Sequence, residues 1–233
     1  MNIILIGAQG SGKGTQAQLL EEQLHLKPCA SGELLRDAIA HGTLLGRAAQ
    51  PYYDRGDLVP DEIVVALILE RLENLGDAQG IILDGFPRTI SQARSLDEAL
   101  RKHGRHLDAV VYLEVPREQL MERLSGRYIC TAHGHVWNIK THPTRVPGIC
   151  DYDGSALEQR SDDTPDKIAR RLDLFFSETI QLVTYYAAQG KLIRVDGTAS
   201  IEDVNRAILD GLQPMLSPHS VPASLQNERT AGK

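Results

Sequence analysis

Five short apolar runs punctuate the chain, at residues 2–6, 27–30, 81–83, 109–115 and 191–195. None is longer than seven residues, and the β-branched side chains in most of them suit buried strands better than helices. Between them lie stretches with apolar residues three and four apart, the spacing of amphipathic helices. Eight helices are predicted, over 16–24, 32–40, 44–55, 60–72, 89–103, 116–124, 164–188 and 200–212. Their ends carry the usual signals: Ser31 and Thr164 as caps, Pro60 and Pro116 at starts, Gly42 and Gly56 at stops. Strands alternating with helices predict an α/β fold, a parallel sheet covered by helices on both faces.

Two stretches interrupt that alternation. Residues 30–59 add a helical insertion. From 126 to 163 the helical period vanishes and Gly, His, Pro, Thr and Asp dominate. The core is then expected from 1–29, 60–125 and 164–213. Residues 214–233 carry Pro214, Pro218 and Pro222 without periodicity, and are expected to be a disordered tail.

The most informative stretch follows the first run: Gly7-Ala8-Gln9-Gly10-Ser11-Gly12-Lys13-Gly14-Thr15. Strand, glycine-rich turn, Lys, hydroxyl and helix, in that order, cradle phosphate. Glycines let successive N–H groups approach an anion, and the helix N-terminus adds partial positive charge. Lys13 can reach the β- and γ-phosphates of a nucleoside triphosphate, and Thr15 can offer its hydroxyl to Mg²⁺. Gly14 departs from the general pattern, which places the hydroxyl residue directly after the Lys.

Bulk properties narrow the partners. A net charge of −6 argues against nucleic acid or an anionic membrane as the main partner. The first apolar run is too short for a signal peptide or membrane span, so a cytoplasmic protein is expected. Three cysteines, Cys29, Cys130 and Cys150, make no disulfide framework.

Asp84 ends an apolar strand, where a nucleotide-binding fold keeps an acid for magnesium; an Asp-Gly turn is the competing explanation. Arg36, Arg88, Arg123, Arg127, Arg160 and Arg171 stand at element starts, turns and insertion edges, and guanidinium suits phosphate through its planar fork. Within 126–163, Cys130-x-x-His133 and Cys150-x-x-Asp153 form two equally spaced pairs, the pattern of a four-ligand structural zinc site. His135 in place of His133, a Cys130–Cys150 disulfide, or a metal-free hydrogen-bonded cluster are the alternatives.

Taken with the Gly-Lys-Gly-Thr ending, the signature Asp84-Gly85-Phe86-Pro87-Arg88 with Gln92, Gly126-Arg127, Gln159–Asp163, Arg170-Arg171-Leu172 and Val195–Thr198, the chain resembles the adenylate kinases of the long-lid bacterial form over residues 1 to about 213. The resemblance implies a P-loop nucleoside-monophosphate kinase sheet with a helical monophosphate-binding insertion and a β-rich lid. It implies MgATP + AMP giving two ADP, a structural zinc in the lid, and a monomer. By that likeness Lys13, Asp84, Arg88, Arg127, Arg160 and Arg171 would be catalytic. Gly10, Ser11, Gly12, Lys13, Gly14, Thr15, Arg123, Arg127, Val136, Trp137 and Ala199 would hold ATP. Ser31, Arg36, Asp57, Leu58, Val59, Gly85, Phe86, Pro87, Arg88, Gln92, Arg160 and Arg171 would surround AMP, and Cys130, His133, Cys150 and Asp153 would bind metal. Ser31, Tyr128, His133 and Asp153 stand where members often carry Thr, Arg, Cys and Cys. A kinase for UMP, CMP or GMP, and a non-catalytic adenine-nucleotide sensor, are the rival functions.

Overall fold

The computed structural model describes residues 1–55, 59–74, 80–159 and 163–216. Its centre is a five-stranded parallel sheet in the order β2-β3-β1-β4-β8. The strands are β1 (Asn2–Ile6), β2 (Lys27–Ala30), β3 (Ile81–Asp84), β4 (Ala109–Glu114) and β8 (Leu192–Asp196). β1 runs between β3 and β4, so the chain reverses its order of laying strands at this point. The crevice beyond the carboxyl ends there is where α/β sheets bind ligands.

Alternation along each strand splits the core in two. Ile4, Ile6, Leu83, Val110 and Tyr112 face a cluster with Ile68, Leu96, Leu172 and Tyr186. Ile3, Leu5, Ile82, Val111 and Leu113 face Leu20, Ile208 and Leu212. The first face is covered by α4 (Asp61–Glu73), α5 (Ile90–Lys102), α6 (Arg117–Ser125), α7 (Pro165–Leu174) and α8 (Gln181–Ala187), the second by α1 (Lys13–Leu24) and α9 (Ile201–Leu216). Period-two burial on both faces is why the strands read as unbroken apolar runs.

α2 (Ser31–Ala40) and α3 (Leu44–Arg55) form the helical insertion. In the second insertion β5 (Arg127–Cys130) pairs antiparallel with β6 (Val136–Asn138) and β7 (Leu157–Glu158). These strands are four, three and two residues long, too short for a periodic signal.

Three sequence expectations need correction. Ser31 is the first helical residue rather than the cap, a position taken by the backbone of Ala30. The predicted helix 164–188 is interrupted by a π-helical turn at Phe175–Thr179, which a 3.6-residue pattern cannot reveal. The closing helix passes through Pro214 to Leu216, because Leu212 and Met215 pack on the sheet and outweigh the hydrogen bond that proline removes. The rest of the expected tail, 217–233, lies outside the described residues.

Candidate active site

The phosphate loop occupies the carboxyl end of β1. Gly10 and Gly12 take φ of +84° and +96°, a region costly for any residue with a Cβ. The turn is closed by Ser11 N–H donating to Ala8 O at 3.1 Å, and α1 begins as Gln16 N–H reaches Gly12 O at 3.0 Å. A Cβ added at the exposed Gly12 or Gly14 would meet nothing within 4 Å, so the loop backbone is open to approach from solvent there. The Ser11 hydroxyl is buried and has no hydrogen-bond partner among the described residues. An open cradle with an unsatisfied buried hydroxyl fits a phosphate group.

Lys13 folds back over this loop. Its Nζ donates to Gly7 O at 2.8 Å and Ala8 O at 3.1 Å and lies 4.0 Å from Asp84 Oδ1. Burial pushes the ammonium below its ordinary pKa; Asp84 opposes this, while the Arg88 and Arg127 guanidiniums lower it further. These side chains therefore share one electrostatic neighbourhood, a convergence that sequence positions alone did not reveal. Asp84 ends β3 in register with Leu5 of the adjacent β1, which brings acid and phosphate loop together.

Beyond Asp84 the chain turns through Gly85 (φ +80°) and the buried Phe86 and Pro87, and Arg88 Nε donates to Gly85 O at 2.9 Å. A Cβ at Gly85 would meet Ser31 Oγ at 3.2 Å, so the hydroxyl that caps nothing lies against this turn. Arg36 reaches back along α2, its Nη1 3.4 Å from where a Gly32 Cβ would stand. Thr89 caps α5 by accepting from Gln92 N–H at 3.2 Å, which sets Gln92 beside Arg88. Val59 is half-buried just before α4; Asp57, Leu58 and Arg160 lie outside the described residues.

Two arginines from different elements meet on one acid. Arg127, the first residue of β5, donates Nε and Nη2 to the two oxygens of Asp163 at 2.7 Å each. Arg171 of α7 donates Nη2 to Asp163 Oδ1 at 2.7 Å. The carboxylate is fully buried. Burial alone would raise its pKa, but the two guanidiniums prevail and hold it below the usual carboxylate range. Asp163 closes the Gln159–Asp163 motif, where its role was not legible; the available signal was an acid bracketed by Arg127, Arg160 and Arg171. Removing its charge leaves two partly buried cations facing each other, so Asp163→Asn is expected to cost about 3 kcal/mol of unfolding free energy. The loss is read by denaturant titration. Because the folded pKa is depressed, the wild-type advantage is complete above pH ~4 and is lost as pH falls further.

Arg123 of α6 spans the other side of the phosphate loop. Its Nη2 donates to Gly197 O at 2.9 Å and its Nη1 to Gly10 O at 3.5 Å, tying the loop to the turn after β8 that carries the exposed Ala199. Val136 is 60% exposed on β6, whereas Trp137 is 4% exposed. Trp137 stacks on His142 at 5.3 Å and packs with Cys130, Cys150 and Leu157. Alternation along β6 turns the Trp137 side chain into the insertion's own small core and its neighbour Val136 outward.

That core surrounds a cluster of four potential ligands. Atoms of Cys130, His135, Cys150 and Asp153 all lie within 4.8 Å of one another. His135 Nδ1 is 3.4 Å from Cys130 Sγ, 3.5 Å from Cys150 Sγ and 3.2 Å from Asp153 Oδ2, and Asp153 Oδ2 is 3.2 Å from Cys130 Sγ. Tetrahedral zinc with bonds of about 2.0–2.3 Å spaces its ligands by about 3.3–3.8 Å; the two His135–sulfur distances fall in that range and the two to Asp153 Oδ2 just below it. His133, expected from the matching Cys-x-x-His spacing, is replaced by His135. It stands outside the cluster, mostly exposed, with Nδ1 2.9 Å from Asp153 Oδ2. The β5–β6 turn, closed by Gly134 N–H to Cys130 O at 3.0 Å, returns His135 rather than His133 to the Cys130 sulfur. All three cysteines are free thiols, against the disulfide alternative. Burial pushes Cys29 up to about 12, which leaves it a core thiol.

A model of the adenylate kinase family matches residues 5–191. The chain is 44% identical to the adenylate kinase of Carboxydothermus hydrogenoformans over 213 residues, 91% of this chain and 100% of that protein. Identity to the adenylate kinase of Moorella thermoacetica is 44% over 208 residues (89% and 96%), and to that of Staphylococcus aureus 42% over 210 residues (90% and 98%). Likeness sustained along nearly the whole chain reflects common descent rather than a shared loop motif: the chain belongs to the adenylate kinase family.

Proposed function

We propose that this family member catalyses reversible phosphoryl transfer, MgATP + AMP giving two ADP. The observation that carries the reading is the double arginine set. The Arg88 and Arg127 charges both act on the Lys13 ammonium beside Asp84, and Arg127 and Arg171 share Asp163. A plain ATPase needs cations for one nucleotide; two nucleotides meeting end to end need them on both sides of the transferred group.

No general base is required, because a phosphomonoester with a second pKa of about 6 is already largely dianionic at neutral pH. Catalysis is positioning and charge neutralisation. The loop N–H groups and Ser11 orient the ATP phosphates, and Lys13 follows the charge as it develops. Arg88 and Arg36 hold the AMP phosphate, with Ser31, Val59 and Gly85 around the nucleoside and Gln92 on the base. Thr15 and Asp84 would hold Mg²⁺, whose hard oxygen donors they match and which supplies charge neutralisation. Arg127 and Asp163 lie at the two ends of the 126–163 lid, and substrate phosphates draw Arg127 from Asp163, which keeps Arg171, so closure both excludes water and completes the site. Arg160 belongs to the same set. Cys130, His135, Cys150 and Asp153 would hold a structural zinc that stiffens the lid. The protein would work in the cytoplasm as a monomer.

ADP formation from MgATP with AMP, UMP, CMP or GMP, beside a no-acceptor control, tests the reading. Rapid ADP formation with AMP alone is expected. Preference for another monophosphate would keep the mechanism and change the substrate. Equal ADP without acceptor would overturn the kinase reading.

A further inference from the structure

Asp61 reads in the sequence as one of two acids in the first turn of a helix, where a carboxylate favours the dipole. The folded chain gives it a second engagement, 31 residues away. Gln92 Nε2 donates to Asp61 Oδ1 at 2.9 Å, while Gln92 Oε1 accepts from the backbone N–H of Arg88 at 2.7 Å. Thr89-x-x-Gln92 has the sequence of a capping box, but the Gln92 side chain reaches past the cap to Arg88, and the Asp61 bond is no part of that motif.

These partners fix which end of the amide is which. A carboxylate oxygen accepts and a backbone N–H donates, so exchanging the amide O and N would set acceptor against acceptor and donor against donor. Each end keeps one valence: a lone pair on Oε1 and an N–H on Nε2. Together they present an acceptor beside a donor. The 6-amino edge of adenine offers the complement, a donor at N6 and an acceptor at N1. The 6-oxo edge of guanine or hypoxanthine offers the reverse, O6 accepting and N1–H donating. Of the two fastenings Asp61 is the stronger, because the Arg88 contact is exposed and water can replace it, whereas the Asp61 contact is partly buried.

We infer that Asp61 fixes the hydrogen-bonding polarity of Gln92 and thereby selects a 6-amino over a 6-oxo purine monophosphate as phosphoryl acceptor. This rests on Gln92 meeting the acceptor base, and makes Asp61 a positioning residue that acts through it.

The test is the ratio of kcat/KM for AMP to that for IMP. IMP differs from AMP at the 6-position and N1 and lacks the 2-amino group that would confuse the comparison with GMP. Two mismatched polar groups predict a ratio of about a hundredfold or more in the native enzyme. Asp61→Asn accepts or donates with equal ease, so the amide can turn over and the ratio is expected to fall by about tenfold or more. Asp61→Ala is expected to do the same. A merely structural loss would lower both substrates together and leave the ratio unmoved. Gln92→Ala separates the two premises. If it collapses the ratio while both Asp61 variants keep it, Gln92 reads the base but Asp61 does not set its polarity. If neither changes the ratio, the role of Gln92 falls as well. Native enzyme gives a check that needs no variant. Purine riboside monophosphate, which keeps N1 as an acceptor and lacks the 6-substituent, should be a better acceptor than IMP, and equal use of the two would overturn the lock.

Discussion

Lys13→Met is expected to lower kcat about a hundred- to thousandfold, the cost of one preorganised donor aimed at transition-state charge. Stability should be retained. The ammonium contributes no packing: it sits over the loop, donating to Gly7 O and Ala8 O, and burial already disfavours its charged form. Those carbonyls are weak partners for a cation, and a phosphoryl oxygen is a better one. Lys13 is therefore held within reach of the reacting group at little cost in ordering it. Lys13→Arg keeps the charge but replaces a compact point donor with a planar fork, and should recover only part of the rate. The measurement is ADP formation at saturating ATP and AMP, beside thermal unfolding of the same samples. A raised KM for ATP with kcat intact would reduce Lys13 to a ground-state anchor.

Much of this site was legible in the chain because local chemistry specified it. Gly10, Gly12, Lys13 and Asp84 are bound to a strand end by a few residues each, and a turn that requires positive φ announces itself as glycine. The parallel sheet was equally legible, since strands buried on both faces leave unbroken apolar runs. What failed to show was long-range pairing. Asp163 joins Arg127 to Arg171, and Asp61 meets Gln92 across 31 residues. Neither partnership leaves a periodic trace, and both acids sit beside helix starts where an acid already has a reason to be. The choice between His133 and His135 was a matter of turn geometry: equal spacing in the two ligand pairs favoured His133, but the hairpin between β5 and β6 sends it outward. Trp137 illustrates the same limit, because a three-residue strand is too short for its inward face to be read.

Removing the zinc proposed for the Cys130, His135, Cys150 and Asp153 cluster is expected to unfold the 126–163 insertion while the parallel sheet stays folded. Apart from the four ligands, the insertion's buried cluster contains little more than Trp137 and the partly buried Leu157, too little apolar area to offset the ordering of some thirty residues. Structural zinc contributes an apparent ~10–16 kcal/mol in small domains, more than that cluster can replace. Trp137 is the only tryptophan, so its emission reports on the lid alone. Chelation should shift that emission to the red as the ring loses its packing against Cys130, Cys150 and His142, and should lower the unfolding temperature. Activity should fall in step with the emission change, because Arg127 enters the site from β5, within the same insertion. Elemental analysis should give one zinc per chain, lost in Cys150→Ser and His135→Ala and kept in His133→Ala. Retention of zinc by His135→Ala and its loss in His133→Ala would restore the ligand set that the sequence spacing favoured. If chelation left both the emission and the unfolding temperature unchanged, the cluster would be a hydrogen-bonded one without metal. Turnover abolished at once in a protein whose lid stayed folded would give the metal a direct part in the chemistry, against the structural role assigned to it here.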